Sequence, residues 1–191
     1  MTVVYVVLGT IAFFALAIVV SYNRFVRQRN LVEESWRQVD VELRRRYDLI
    51  PNLVETVKGY AAHERAVFEA VTAARAAAEQ PAASRTAQGQ DETALTQSLR
   101  GLLAVAEGYP QLKADQGFRD LQAQLAETED RIAAGRRFYN ANVRAYDTRI
   151  GAFPSSLIAG AFHFGKAEYF EADEAAVRAP VDVRFPPGAP S

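Results

Sequence analysis

Cysteine is absent from the 191 residues. That excludes disulfides, thiolate metal sites, a cysteine nucleophile and a lipid-modified cysteine anchor. Histidine is scarce, with only His63 and His163 present. Neither has a second histidine or a carboxylate at the spacing of a zinc motif, so metal or acid–base chemistry lacks its partners. An excess of either charge is missing too: 22 Lys and Arg face 23 Asp and Glu, a formal net charge of −1, which gives no reason to expect nucleic acid as a partner. There is no glycine-rich phosphate loop, no nucleophile elbow and no strand-like alternation of polar and apolar residues. No cofactor or small-molecule substrate is implied.

Charge is also missing from the first twenty residues, and here the absence is informative. From Val3 to Val20 every side chain is apolar or small except Tyr5 and Thr10. Eighteen residues of helix rise about 27 Å, close to the hydrocarbon thickness of a bilayer. A cleaved signal peptide is the competing reading, because Ala15-Leu16-Ala17 has the small-x-small cleavage pattern. However, the leading segment Met1-Thr2 carries no Lys or Arg, and the apolar run passes straight through that site, so a retained anchor over residues 1–23 is expected. Arg24, Arg27, Arg29 and Arg37 follow the span closely. The positive-inside rule then puts the body in the cytoplasm and the short N-terminus outside. Tyr22 and Phe25 supply interfacial aromatics on the same side.

Beyond the anchor the period is helical. Val32, Trp36, Val39, Leu43, Tyr47, Ile50, Val54, Val57, Ala61, Phe68 and Val71 step by threes and fours, interrupted only by Glu64, as on a long helix packed along one stripe. Taken as continuous from Arg24 to about Glu79, the helix would contain Pro51, which predicts a kink near Leu49, with Asp48 as a local cap. Gln80 to Asp91 holds Pro81, Gly89 and no large apolar residue, and reads as a loop. A second stripe follows through Leu95, Leu99, Leu102, Leu103, Ala106 and Tyr109, stopping at Gly108-Tyr109-Pro110. The third runs from Phe118 through Leu125, Thr128, Ile132, Gly135, Tyr139, Asn142 and Tyr146 to Ile150. Phe153-Pro154-Ser155-Ser156 then opens a shorter fourth helix. Residues 179–191 are proline-rich and aperiodic, which predicts an extended tail. The expectation is an all-α protein: a transmembrane helix, then an antiparallel, up-and-down four-helix bundle over residues 24–178.

Two blocks carry a family resemblance. Tyr22 to Glu64, YNRFVRQRNLVEESWRQVDVELRRRYDLIPNLVETVKGYAAHE, resembles the signature of the LemA family. So does Arg136 to Phe170, RRFYNANVRAYDTRIGAFPSSLIAGAFHFGKAEYF. Tyr109-Pro110-x-Leu112-Lys113-Ala114 and Phe118-x-x-Leu121-Gln122 match between them. Trp36, Asp48, Pro51, Tyr139, Asn140 and Pro154 are the signature positions. The resemblance implies one N-terminal transmembrane helix and a four-helix bundle in a bacterial membrane. It also implies a role in organising membranes, including magnetosome membranes, with some relatives lying near genes for membrane proteases. It carries no catalytic or ligand residues. Ala134-Gly135 depart from the pattern, since relatives often have an aromatic and an alanine there. A glycine on a packing face costs up to about 1 kcal/mol of helix stability, unless helices approach closely at that point.

Four features invite a functional reading. Arg44-Arg45-Arg46, beside Asp40, Glu42 and Asp48, reads as a solvated face of i,i+4 pairs such as Asp40 with Arg44, in preference to a docking surface. Arg136, Arg137, Tyr139, Asn140 and Asn142 read as a register-setting seam rather than a ligand site. His63 reads as solvated, whereas His163, between Phe162 and Phe164, is expected to pack. Leu157 to Phe164 is nearly continuous apolar sequence, read first as the cap of the bundle, with a partner or membrane surface as the alternative. Together these favour a non-enzymatic, membrane-anchored scaffold that binds itself or a membrane-protein partner at the cell (inner) membrane. The alternative is a membrane-tethered hydrolase using carboxylates.

Overall fold

The structure, a computed structural model, describes residues 1–171. The tail at 179–191 and the last residues of the body, 172–178, lie outside the described residues. Six helices follow one another: α1 (Thr2–Lys58), α2 (Arg65–Glu79), α3 (Arg85–Glu107), α4 (Pro110–Ala114), α5 (Gln116–Gly151) and α6 (Ser155–Ala161). Among the described residues there is no strand.

The first helix is 57 residues long, about 86 Å at 1.5 Å per residue. Its apolar first third packs on nothing: Val3 to Val20 are all exposed. It is the one described helix long and apolar enough to cross a membrane. Packing begins at Phe25, which is fully buried.

The body is built mainly from two helical pairs, α1 with α5 and α2 with α3. Facing residues run in opposite order along α1 and α5. Phe25 meets Tyr146 and Trp36 meets Tyr139. Farther on, Val39 meets Gly135 and Arg46 meets Glu129. A Cβ on Gly135 would stand 3.0 Å from Val39 Cγ2, so the departure at this position coincides with a close helix approach. The core is the stripe read from the sequence, with Val39, Leu43, Ile50, Leu53 and Val57 on α1 and Leu95, Leu99 and Leu102 on α3. Burying each such side chain contributes about 1.5–3 kcal/mol.

Three expectations fail here. The helix assigned to Arg24–Glu79 is two helices. Backbone N–H groups of Gly59 and Ala61 bond back to the carbonyls of Glu55 and Val57, closing α1, and the chain folds back so that Arg75 and Ala78 lie beside Tyr47. Two helices that share one core carry the same apolar phase as one long helix, so periodicity could not separate them. The loop expected over Gln80–Asp91 is only residues 80–84. Ser84 Oγ accepts from Ala87 N at 3.0 Å and starts α3 at Arg85. The first turns of α3 face the core with Gln88 and Glu92 rather than with apolar residues, so the hydrophobic pattern was silent. Finally, His163 does not pack; it is exposed, with φ 56° in the turn after α6.

Candidate functional site

Arg46 was expected on a solvated face with its neighbours. Arg44 does lie outside, pairing with Asp40 at 3.0 Å, but Arg46 is 1% exposed. It shares a helix face with Leu43 and Ile50, three and four residues away, and that spacing was the available signal. One Arg46 amino group binds Glu92 Oε2. The other reaches Glu129 Oε1 at 2.7 Å and Thr96 Oγ1 at 3.2 Å. The Tyr47 hydroxyl donates to Glu92 Oε1, with the Ala78 carbonyl 3.0 Å away as a second acceptor. Gln88 Nε2 donates to both Glu92 Oε1 and the Ala78 carbonyl. Burial pushes the Tyr47 phenol up to about 12, against the lowering effect of the Arg46 charge. This one cluster therefore joins α1, α2, α3 and α5. Glu92 and Glu129 are both engaged by one guanidinium, and the raised Tyr47 phenol stays protonated at neutral pH. Both Arg46 amino groups are engaged, while its buried Nε has no partner. A buried ion cluster of this kind favours one helix arrangement over its alternatives, because a slip would separate the guanidinium from Glu92.

Pro51 lies inside α1, exposed, and the helix runs through it unbroken. Asp48 is not its cap. A proline lacks the N–H that would bond four residues back, so the orphaned group is an acceptor, the Tyr47 carbonyl, which a carboxylate cannot satisfy. Arg75 of α2 satisfies it, with Nε 2.8 Å from Tyr47 O. The proline thus creates a socket on α1 for the returning helix. Beside it opens a cleft of about 620 Å³ lined by Trp36, Asp40, Arg44, Tyr47, Asp48, Glu79 and Arg85, among others. Its walls carry both signs of charge.

Tyr139 and Asn140 have a role that spacing alone did not show. After α6 the chain returns along α5 as an extended segment. Asn140 grips it with both ends of its amide: Nδ2 donates to Phe170 O at 3.1 Å, and Oδ1 accepts from Phe170 N at 3.0 Å. Tyr139 donates to Glu168 O at 2.7 Å, and Asp147 accepts from Ala167 N at 3.0 Å. Burial raises the Tyr139 phenol above its ordinary value, against the opposing charge of Arg85. These grips press Phe170 into the core against Trp36, ring centroids 5.1 Å apart, while the Arg85 guanidinium covers the indole at 3.8 Å. Trp36 is consequently 8% exposed. Four residues distant in sequence, Trp36, Arg85, Tyr139 and Phe170, converge there.

The seam residues Thr128, Gly135 and Asn142 are turned inward. Thr128 is fully buried and donates to the Gln124 carbonyl, and Gly135 lies against Val39 of the same chain. At the anchor end, Pro154 precedes α6 after a cis peptide bond with Phe153. Ser155 Oγ reaches the carbonyls of Arg149 and Ala152 at 2.7 and 2.9 Å. His63 is exposed in the turn between α1 and α2.

An exposed apolar helix continuous with a helical body, held by a buried ion cluster and a gripped return segment, defines a membrane-associated helical protein. The model of the LemA family matches residues 35–185, and the chain belongs to that family. It is similar to Magnetosome protein MamQ 2 of Paramagnetospirillum magneticum, with 28% identity over 86% of this chain and 70% of the relative. It is also similar to Magnetosome protein MamQ of Magnetospirillum gryphiswaldense, with 27% identity over 86% of this chain and 69% of the relative.

Proposed function

We propose that this protein is a non-catalytic scaffold that crosses the bacterial cell membrane once and presents its body, an antiparallel four-helix bundle, in the cytoplasm, where it assembles with copies of itself or with a membrane-protein partner. One observation carries this reading: α1 is a single helix from Thr2 to Lys58. The exposed apolar third and the packed two thirds are therefore one stiff rod, and the bundle is held at a set orientation to the membrane. Confinement to a plane raises the effective concentration of neighbours, so modest contacts suffice for association. The magnetosome proteins among the relatives accord with a role at a membrane. The arginines that follow the span support the cytoplasmic placement.

Thr128 is buried within the body and Gly135 lies against Val39 of the same chain, so neither is free to meet a partner. Assembly rests instead on the rod and on outward apolar residues such as Val41 and Phe138, 63% and 50% exposed. The cleft beside Asp40, Asp48 and Glu79 is the feature that would favour a hydrolase. Asp40 is already held by Arg44 there, and Arg85 is engaged over Trp36.

In-membrane crosslinking of the full chain, with light scattering in mild detergent, tests the proposal. The expected result is a crosslinked neighbour and a protein mass several times 21.1 kDa, or a stable complex with a partner. A lone monomer in native membranes refutes assembly. A C-terminal reporter that is active only outside the cytoplasm refutes the orientation.

A further inference from the structure

The stretch Leu157–Phe164 does not simply cap the bundle. Ala159 is buried, Ile158 packs partly against the core and Phe164 stacks on Phe25 at 4.9 Å, but the outer side of this corner is bare. Phe153 is 82% exposed, Leu157 66% and Phe162 48%. Phe153 and Leu157 are the two most exposed large apolar side chains among the described residues beyond Val20, and an apolar corner of this kind needs an occupant.

The geometry names it. The Phe162 ring lies 4.9 Å from Tyr22, and the Phe164 ring 5.7 Å from it. Tyr22 stands two residues past Val20 on an unbroken helix, about 3 Å along its axis. The headgroup layer on each side of a bilayer is about 5–8 Å deep, so Tyr22 and whatever touches it lie within that layer. The charges agree. No Asp or Glu occurs from Ser21 to Val32 or from Thr148 to Ala167, whereas these two stretches hold Arg24, Arg27, Arg29, Arg149 and Lys166. Among the described residues none of these five pairs with a carboxylate. Arg24 and Arg149 lie near enough that like-charge repulsion adds to desolvation in lowering Arg149 from its ordinary value. Cations left crowded together in this way await an anionic surface.

We propose that the α5–α6 corner is a second membrane contact, with Phe153, Leu157 and Phe162 seated in the interfacial layer of the bilayer that α1 crosses and the flanking arginines and Lys166 meeting anionic lipid headgroups. This docks the base of the bundle on the membrane and, with the span, fixes its rotation about α1. The proposal rests on residues 3–20 crossing the membrane.

The chain has no cysteine, so single labels can be placed at will. Leu157→Cys and Phe153→Cys, each carrying an environment-sensitive fluorophore, are compared with Ile11→Cys in the span and His63→Cys in the exposed turn between α1 and α2. The full chain is reconstituted in phosphatidylglycerol–phosphatidylcholine vesicles containing lipids with a quencher near the headgroup or deep in the acyl chain. The labels at 153 and 157 should be quenched several-fold more by the shallow quencher than the label at 63, and less so in phosphatidylcholine alone or at high salt. The label at 11 should respond to the deep quencher. Labels at 153 and 157 as open to aqueous iodide as that at 63, with the label at 11 still deeply quenched, overturn the docking alone. Shielding from both iodide and lipid quenchers, with 157–157 crosslinks, assigns the corner to a second copy and also overturns it. Equal quenching in both lipid mixtures removes the anionic headgroups from the proposal. An unquenched label at 11 defeats the transmembrane reading, and the docking falls with it.

Discussion

The socket at Pro51 makes a quantitative prediction. Removing Arg75 leaves the Tyr47 carbonyl without either its intrahelical partner or its replacement. A hydrogen bond from a charged donor contributes about 1.5–3 kcal/mol, and an unsatisfied carbonyl shielded from water costs about 1–3 kcal/mol. Arg75 also forms an i,i+4 pair with Glu79 at 3.2 Å, worth only about 0.3–0.5 kcal/mol in a partly exposed setting. Arg75→Ala should therefore destabilise by about 2 kcal/mol, most of it through the Tyr47 carbonyl. Pro51→Ala restores an N–H that can bond Tyr47 O within the helix, and by helix propensity alone it should stabilise by up to about 3 kcal/mol. In that background Arg75→Ala should cost only the ion pair and a little packing, leaving a coupling of about 1–2 kcal/mol between residues on different helices. Unfolding of the four proteins in one detergent, followed by Trp36 fluorescence, measures it. A 1 kcal/mol change moves the melting temperature about 2–4 °C at this size. If Arg75→Ala costs the same with and without Pro51, the socket does not exist.

Arg46→Met leaves Glu92 buried without its counter-charge and should cost about 3–5 kcal/mol, with Glu92→Gln recovering part of the loss in the double variant; chemical denaturation checks both. Trp36→Ala should cost about 3–5 kcal/mol, because the ring fills the space between Tyr139 and Phe170; an unchanged melting temperature would contradict its burial. Stability should fall as pH rises from about 10 to about 12, because there the unfolded Tyr47 phenol has lost its proton while the folded one, raised to about 12, retains it. One proton gives a slope of at most about 1.4 kcal/mol per pH unit, and in Tyr47→Phe this contribution to the slope should vanish. Asn140→Leu removes both grips on residue 170, so amide exchange at Phe170 should quicken while that in the middle of α5 does not.

The sequence by itself determined the helical class, the exposed apolar third of α1, the core stripe and the family. These are one-dimensional signals: a run of eighteen uncharged residues, a period between three and four, and two long motifs. Asp115 and Ser84 cap their helices by accepting from the N–H three residues on, Phe118 and Ala87; this is a local signal, although the polar turns that follow Ser84 hide the helix it opens. Only the tertiary structure decided where the rod ends. Val57 and Phe68 keep one apolar phase whether the chain runs on or folds back, so the turn at Gly59 left no trace in the period. Only the tertiary structure turned Arg46 inward, because a buried arginine is tolerable solely where Glu92 and Glu129, from distant helices, arrive together. The same holds for Pro51, whose orphaned carbonyl has no local solution and waits for Arg75. It holds also for Phe162, whose hydrophobicity reads identically in a core or on a surface, until the fold sets its ring 4.9 Å from Tyr22, two residues past the apolar run.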